Sequence, residues 1–248
     1  MSAVMVLGLV GASCGSDDSD ASAVHRDVTV FAAASLTAAF TEIGDAFMVE
    51  YPETNVVFSF AGSSDLVAQI GEGAPADVFA AADLSTMARV TDAGQTASEP
   101  RVFATNIAEI IVGAGNPSGI TGVADLADAD LIVVQCAAEV PCGKYAALIY
   151  ENAGVTVTPK SLEENVKAVV TKVTLGEADA GIVYATDVTA AGDDADGVEI
   201  PDDINVVAEY PIATLAEASN TEGAQAFIDF VLSEQGRTIL GSYGFLAP

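Results

Sequence analysis

The 248-residue sequence predicts an α/β fold, and three observations carry that prediction. From Asp27 onward, strand-like and helix-like segments alternate, the pattern of helices packed on a largely parallel sheet. A unit of strand, small-residue turn, serine and amphipathic helix occurs twice before Gly71. Apolar residues make up 51% of the chain, enough for one large core or two smaller ones.

The first unit is Val28 to Phe40, VTVFAAASLTAAF. Val28, Val30 and Phe31 are β-formers, and Leu36, Phe40, Ile43 and Phe47 then recur at the spacing of an amphipathic helix. Ser35 falls at the junction, the N-cap position. There its hydroxyl and N–H lie beside unpaired first-turn amides and together offer a site for an anion; alternatively it caps its own helix and does nothing more. In the second unit Asn55 to Phe60 reads as a strand and Ala61 and Gly62 as a turn. Ser63 and Ser64 then precede an apolar face of Leu66, Val67 and Ile70. Two serines so placed suggest two donors aimed at one ligand from the carboxyl ends of neighbouring strands.

Gly71 to Asp83 delivers the chain through a Gly/Pro turn into a short buried strand, Val78 to Ala81. Gly71, Gly73 and Ala76 match a dinucleotide fingerprint in spacing, but this turn ends a helix and starts a strand, the reverse of what that motif needs. Leu84 to Ala93 reads as a helix, Ile107 to Gly113 as a strand entering a second lobe, and Leu131 to Gln135 as another strand. Pro141 stops one element, and Cys142 and Gly143 open a helix whose first amides are unpaired. Gly143 and Lys144 lack the upstream glycine and the Ser or Thr of a phosphate loop.

Leu162 to Leu175 reads as a helix with Val166, Val169, Val170 and Val173 on one face and Glu163 and Glu164 as first-turn acids, which puts Val166 near its start. Gly181 to Tyr184 is a short buried strand ending in a phenol, either a core residue or a ligand donor. Gly192 to Gly197 (GDDADG) has the acidity of a calcium loop, but a glycine stands where the first ligand belongs, so a solvated loop is expected. Ile204 to Leu215 holds two strand-like runs around Pro211. Thr221 to Phe245 supplies helices with Phe227, Phe230 and Val231 on one face.

Eight Lys and Arg stand against 36 Asp and Glu, a net charge of −28 spread along the chain, which argues against nucleic acid and anionic membrane surfaces as partners. The single histidine, His25, precedes the folded body, so no Ser-His or Cys-His pair can form there. G-x-S-x-G occurs only at Gly11 to Gly15, ahead of the folded body, and S-x-x-K and H-E-x-x-H are absent. The expectation is a binding protein and not an enzyme, with no cofactor and no protein-bound metal.

Met1 to Val10 is an apolar run too short to span a bilayer, and Gly11, Ala12, Ser13 and Cys14 follow it. It resembles a secretory segment ending at a lipoprotein cleavage site, with Cys14 as lipid anchor. No Lys or Arg precedes the run, and Gly11 stands where such sites carry an aliphatic residue. Residues 1–26 are therefore expected to be a signal/lipoprotein segment and flexible tether. Cys136 and Cys142 remain, an even count with Pro141 just before the second, and a disulfide between them is expected to brace the loop that presents the Cys142 amide.

The strings FAAASL, FAGSS, GAPADVF, EVPCGKYA, ENVKAVV, GIVY and SYGF, in this order from Val28 to Phe245, resemble the periplasmic molybdate-binding proteins of ABC transporters. The resemblance implies a two-lobed type II periplasmic-binding-protein fold with two hinge crossings: residues 27–107 plus 211–248 as lobe 1 and 108–210 as lobe 2. It implies an oxyanion held by hydroxyl and amide of Ser35 and Ser63, by the backbone amides of Cys142 and Val166, and by the phenol of Tyr184. Cysteine at 142 replaces a small apolar residue, and Lys167 is given no ligand role. The implied protein is a monomer, periplasmic or a cell-surface lipoprotein, touching the membrane only through its anchor. It would capture molybdate or tungstate and pass it to an ABC transporter permease. The alternatives are a sulfate- or phosphate-type oxyanion binder on the same fold, or an extracytoplasmic enzyme acting on an anionic substrate.

Overall fold

The computed structural model describes residues 27–248, and within them the alternation seen in the sequence becomes a continuous, curled sheet with helices on its faces. β1 (Val28–Ala33) is buried at every residue but Thr29, as a parallel strand covered on both faces should be. A 3-10 turn (Ala34–Leu36) leads into α1 (Thr37–Glu50), which buries Phe40, Ile43 and Phe47. β2 (Val56–Ala61) pairs in parallel with β1, and α2 (Ser63–Gly71) follows it. β3 (Val78–Ala80) lies parallel on the other side of β1, and α3 (Leu84–Asp92) is capped by the Asp83 carboxylate, which accepts from the Thr86 amide.

β4 (Arg101–Gly113) runs for 13 residues and leads into β5 (Val133–Cys136), α4 (Pro141–Ala153), β6 (Ser161–Glu163) and α5 (Val166–Thr174). β7 (Ala180–Tyr184), α6 (Ala185–Ala191) and β8 (Ala195–Glu199) complete the second lobe. β9 (Val207–Thr214) returns to the first, where α7 (Thr221–Leu232) and α8 (Glu234–Ser242) end the fold. The strand order is β2-β1-β3-β9-β4-β7-β5-β6, with β8 also on β4.

β4 changes partner along its length: Arg101 to Ile107 pair with β9, and Ala108 to Val112 with β7. β4 and β9 are thus the two crossings of a two-lobed molecule. Three apolar clusters fill it. One joins β1, α1 and α7, where Phe47 and Phe227 meet at 5.5 Å; one lies between α2 and α3 around Leu66, Phe79 and Met87; one fills the second lobe around Ile110, Ile149 and Ile182.

Several elements differ from their sequence reading, each because a long-range partner outweighs a local pattern. Ser161 to Glu163 form a strand on the edge of β5, so Glu163 is no first-turn acid; its carboxylate is held by Lys172 at 2.6 Å, and Asn165 caps the shorter α5. The two runs around Pro211 are one strand. Proline is tolerated because β4 shifts register between Val102 and Ala104, opposite it. The strand expected from Ile107 begins at Arg101, where β9 supplies its ladder. Ala195 to Gly197, expected in a solvated loop, belong to β8 and pair with Ile111 to Gly113.

Candidate functional site

Four chain segments that leave strand ends or loops to begin helices converge on the cleft between the lobes. Ser35 lies inside the 3-10 turn, not at the N-cap of α1, which is Leu36 and carries no side-chain cap bond. Thr37 Oγ1 donates to the Ala34 carbonyl instead, at 2.7 Å. The Ser35 hydroxyl is thereby released from capping and meets the Tyr210 hydroxyl at 3.1 Å.

Ser63 is the first residue of α2, behind Gly62, which has no side chain with which to cap. Its hydroxyl accepts from the Ala82 amide at 3.2 Å. Cys142 is the second residue of α4, after Pro141, and Val140 at the N-cap makes no side-chain bond, so the first-turn amides keep their donors. Val166 opens α5 next to Asn165, whose side chain is engaged by the Ala168 amide at 3.0 Å.

Tyr184 ends β7. Its phenol oxygen is buried and has no hydrogen-bond partner among the described residues. A buried hydroxyl without a partner costs about 1 to 3 kcal/mol.

Ser35, Ser63, Cys142, Val166 and Tyr184 all line one cavity, together with Ala33, Ala34, Gly62, Ala82 and Asn165. It is a small space of about 200 Å³, counting the part open to solvent, so only a small compact ligand fits. Backbone packing sets its walls. A Cβ on Gly143 would stand 2.0 Å from the Ala137 carbonyl, and one on Gly62 would stand 2.4 Å from the Glu164 carbonyl across the cleft. Glycine is thus required where α4 meets the 136–137 backbone and where the lobes touch. Cys136 and Cys142 are joined as a disulfide, Cα atoms 5.7 Å apart, which ties the start of α4 to the end of β5.

Among the described residues, no Lys, Arg or His lines the cavity. Lys167, beside Val166, is paired at 2.8 Å with the buried Asp187. Burial pushes the Asp187 carboxyl up, and Lys167 opposes that shift. Burial also pushes the Tyr184 phenol well above its ordinary value, with Tyr210 and Tyr145 nearby adding to the shift, so it stays a neutral donor. Neutral hydroxyls and helix-start amides solvate an oxyanion in place of water without a countercharge.

Tyr210 escaped the sequence reading. It sits in β9, fully buried, 175 residues from the serine it holds, and its only local signal was a place in an apolar strand. Asn165 and Ala82 were likewise not singled out, and the pairing of Lys167 with Asp187 has no motif.

The chain matches the family model described as bacterial extracellular solute-binding protein over residues 28–246. It is 42% identical, over a 253-residue alignment, to the molybdate-binding protein ModA of Mycobacterium tuberculosis (strain ATCC 25618 / H37Rv), covering 100% of this chain and 96% of that one. To the ModA of Escherichia coli (strain K12) it is 33% identical over 228 residues, covering 88% of each. Among solved structures, the substrate binding domain of a putative molybdenum ABC transporter from Clostridium difficile is 27% identical with a TM-score of 0.67, covering 90% of this chain and 99% of that one. The Azotobacter vinelandii periplasmic molybdate-binding protein superposes with a TM-score of 0.76 over 89% of this chain and 99% of that one, at 17% identity, a likeness of fold alone. With its folded body matched almost end to end and relatives above 30% identity along most of its length, the chain belongs to the family of bacterial extracellular solute-binding proteins.

Proposed function

We propose that the protein captures molybdate, with tungstate as an equivalent ligand, between its two lobes and delivers it to the permease of an ABC transporter. The observation that carries this reading is the small cavity at the lobe junction, where an unpartnered buried phenol and uncapped helix starts meet with no formal charge on the walls. In this reading the oxyanion accepts from the hydroxyls and amides of Ser35 and Ser63, the amides of Cys142 and Val166, and the Tyr184 phenol. The relatives named for molybdate supply the choice of ion. The protein works without catalysis: it binds, closes and hands over.

The lobe boundaries belong to the same proposal, residues 27–107 plus 211–248 against 108–210; the change of partner on β4 after Ile107 supports the first of them. So do a lipid anchor at Cys14, which lies outside the described residues, an extracytoplasmic lipoprotein as the working form, and a monomeric state. Calorimetric titration with sodium molybdate tests the ligand. A one-to-one exothermic or entropic isotherm is expected. Absence of binding, or sulfate binding as tightly as molybdate, overturns the choice of ion and leaves the family untouched.

A further inference from the structure

We infer that Lys144 and Asp83 form a latch across the mouth of the cleft that controls how long the lobes stay closed on the ligand. The inference rests on the capture reading above for the identity of that ligand. Lys144 stands on α4 in the second lobe, and its ammonium lies 2.9 Å from Asp83 Oδ2, 2.8 Å from Ser85 Oγ and 3.0 Å from Thr86 Oγ1. An ammonium has three hydrogens, and here all three find acceptors at the start of one helix, α3, in the other lobe. Asp83 contributes its second oxygen to capping that helix, so the socket is rigid.

The placement couples latch and ligand. Ala82 and Cys142 line the cavity; Asp83 follows the first by one residue and Lys144 the second by two. α4 cannot bring the Cys142 amide to the ligand without bringing the ammonium to Asp83. On the same side of the cleft, Ser64 Oγ donates to the Glu139 carbonyl at 2.5 Å and Tyr145 Oη to the Ala82 carbonyl at 3.4 Å. Lys144 does not line the cavity, so it acts through closure, as a positioning residue. The Asp83 side chain is only 5% exposed and that of Lys144 30%, which makes the pair stronger than an ion pair at an open surface. Opening the lobes returns both charges to water, so the pair forms only on closing.

The test uses Lys144→Met, Asp83→Asn and the double variant, the asparagine being chosen because it still caps α3. One spin label on each lobe reports the closed fraction by pulsed dipolar spectroscopy, with and without sodium molybdate, and calorimetry and stopped-flow report affinity and dissociation. Each single variant should reduce the closed fraction of the ligand-free protein and weaken molybdate binding about tenfold, through faster dissociation with association little changed. The two losses should not add in the double variant. Raising salt should weaken wild-type binding more than binding by Lys144→Met. Unchanged distance distributions, or single losses that add, would overturn the latch. A wild-type protein that ignores molybdate would overturn the capture reading instead, and the ligand-free distance distributions would still decide on the latch.

Discussion

In the proposed site, Ser35 and Tyr184 show how single side chains would be prepared for a ligand. Ser35 gives up the capping role that its sequence position suggests, because the 3-10 turn moves the helix start past it, and Tyr210 then holds its hydroxyl at 3.1 Å. Hydrogen bonds to a charged group contribute about 1.5 to 3 kcal/mol, so Ser35→Ala or Ser63→Ala should weaken molybdate binding roughly tenfold to a hundredfold with the circular dichroism spectrum unchanged. A variant that binds as tightly as wild type removes its serine from the site. Tyr184→Phe should separate binding from stability. It deletes a buried hydroxyl that has no partner among the described residues, so the unfolding free energy should hold or rise, by about 1 to 3 kcal/mol at most, while affinity falls about tenfold or more. A fall in both would mean that the phenol has a structural partner after all.

At the scale of elements, the start of α4 is where the covalent and steric constraints gather. The Cys136–Cys142 bond closes a short loop, with a sequence separation of 6, for which chain-entropy arguments give roughly 2 kcal/mol. Replacing both cysteines by serine should therefore lower the unfolding free energy from urea titration by about that amount and loosen the amide at position 142, weakening molybdate binding as well. Thiol titration of the exported, denatured protein should find neither cysteine reactive before reductant is added. Gly143→Ala should cost more than the disulfide, because its methyl would overlap the Ala137 carbonyl at 2.0 Å and lift α4 away from β5. Binding equal to wild type in that variant would show that the helix start can shift without touching the cage.

For the whole molecule, selectivity and pH tolerance follow from an uncharged, buried site. Molybdate, tungstate and sulfate carry the same charge at neutral pH, so attraction cannot choose among them, whereas donors fixed on helix starts of two lobes can. Sulfate is the smaller tetrahedron, and each donor left too far away costs on the order of 1 to 3 kcal/mol. Two such losses predict sulfate and phosphate weaker than molybdate by at least about two orders of magnitude, with tungstate within about tenfold; competition calorimetry at fixed salt measures both ratios. The buried phenols of Tyr184 and Tyr210 are both raised by desolvation. An unfolded tyrosine ionises near pH 10, so below that pH the stability is complete. As pH rises further, only the unfolded state loses protons, and stability should fall by about 1.4 kcal/mol per pH unit for each buried tyrosine. Denaturant midpoints from pH 9 to 11.5 should show that slope, and a flat profile would mean that these phenols ionise in the folded state.

Much of this molecule can be read along the chain because its signals are local. Alternating β-formers and amphipathic spacing marked β1, α1, β2 and α2, and the small-residue turns before Ser63 and the proline before Cys142 marked helix starts with free amides, the chemistry of an anion site. What the chain could not announce by itself depends on partners far away. Ser161 to Glu163 became a strand because β5 had a free edge, Pro211 stayed in a strand because β4 shifted register opposite it, and Ser35 was turned from a cap into a hydroxyl held by Tyr210. Lys144 meets Asp83 across the lobes, 61 residues away in the chain. Periodicity and turn chemistry act over a few residues and are written in sequence order; sheet register, cavity size and charge pairing are set by which surfaces meet, and only the folded chain decides that.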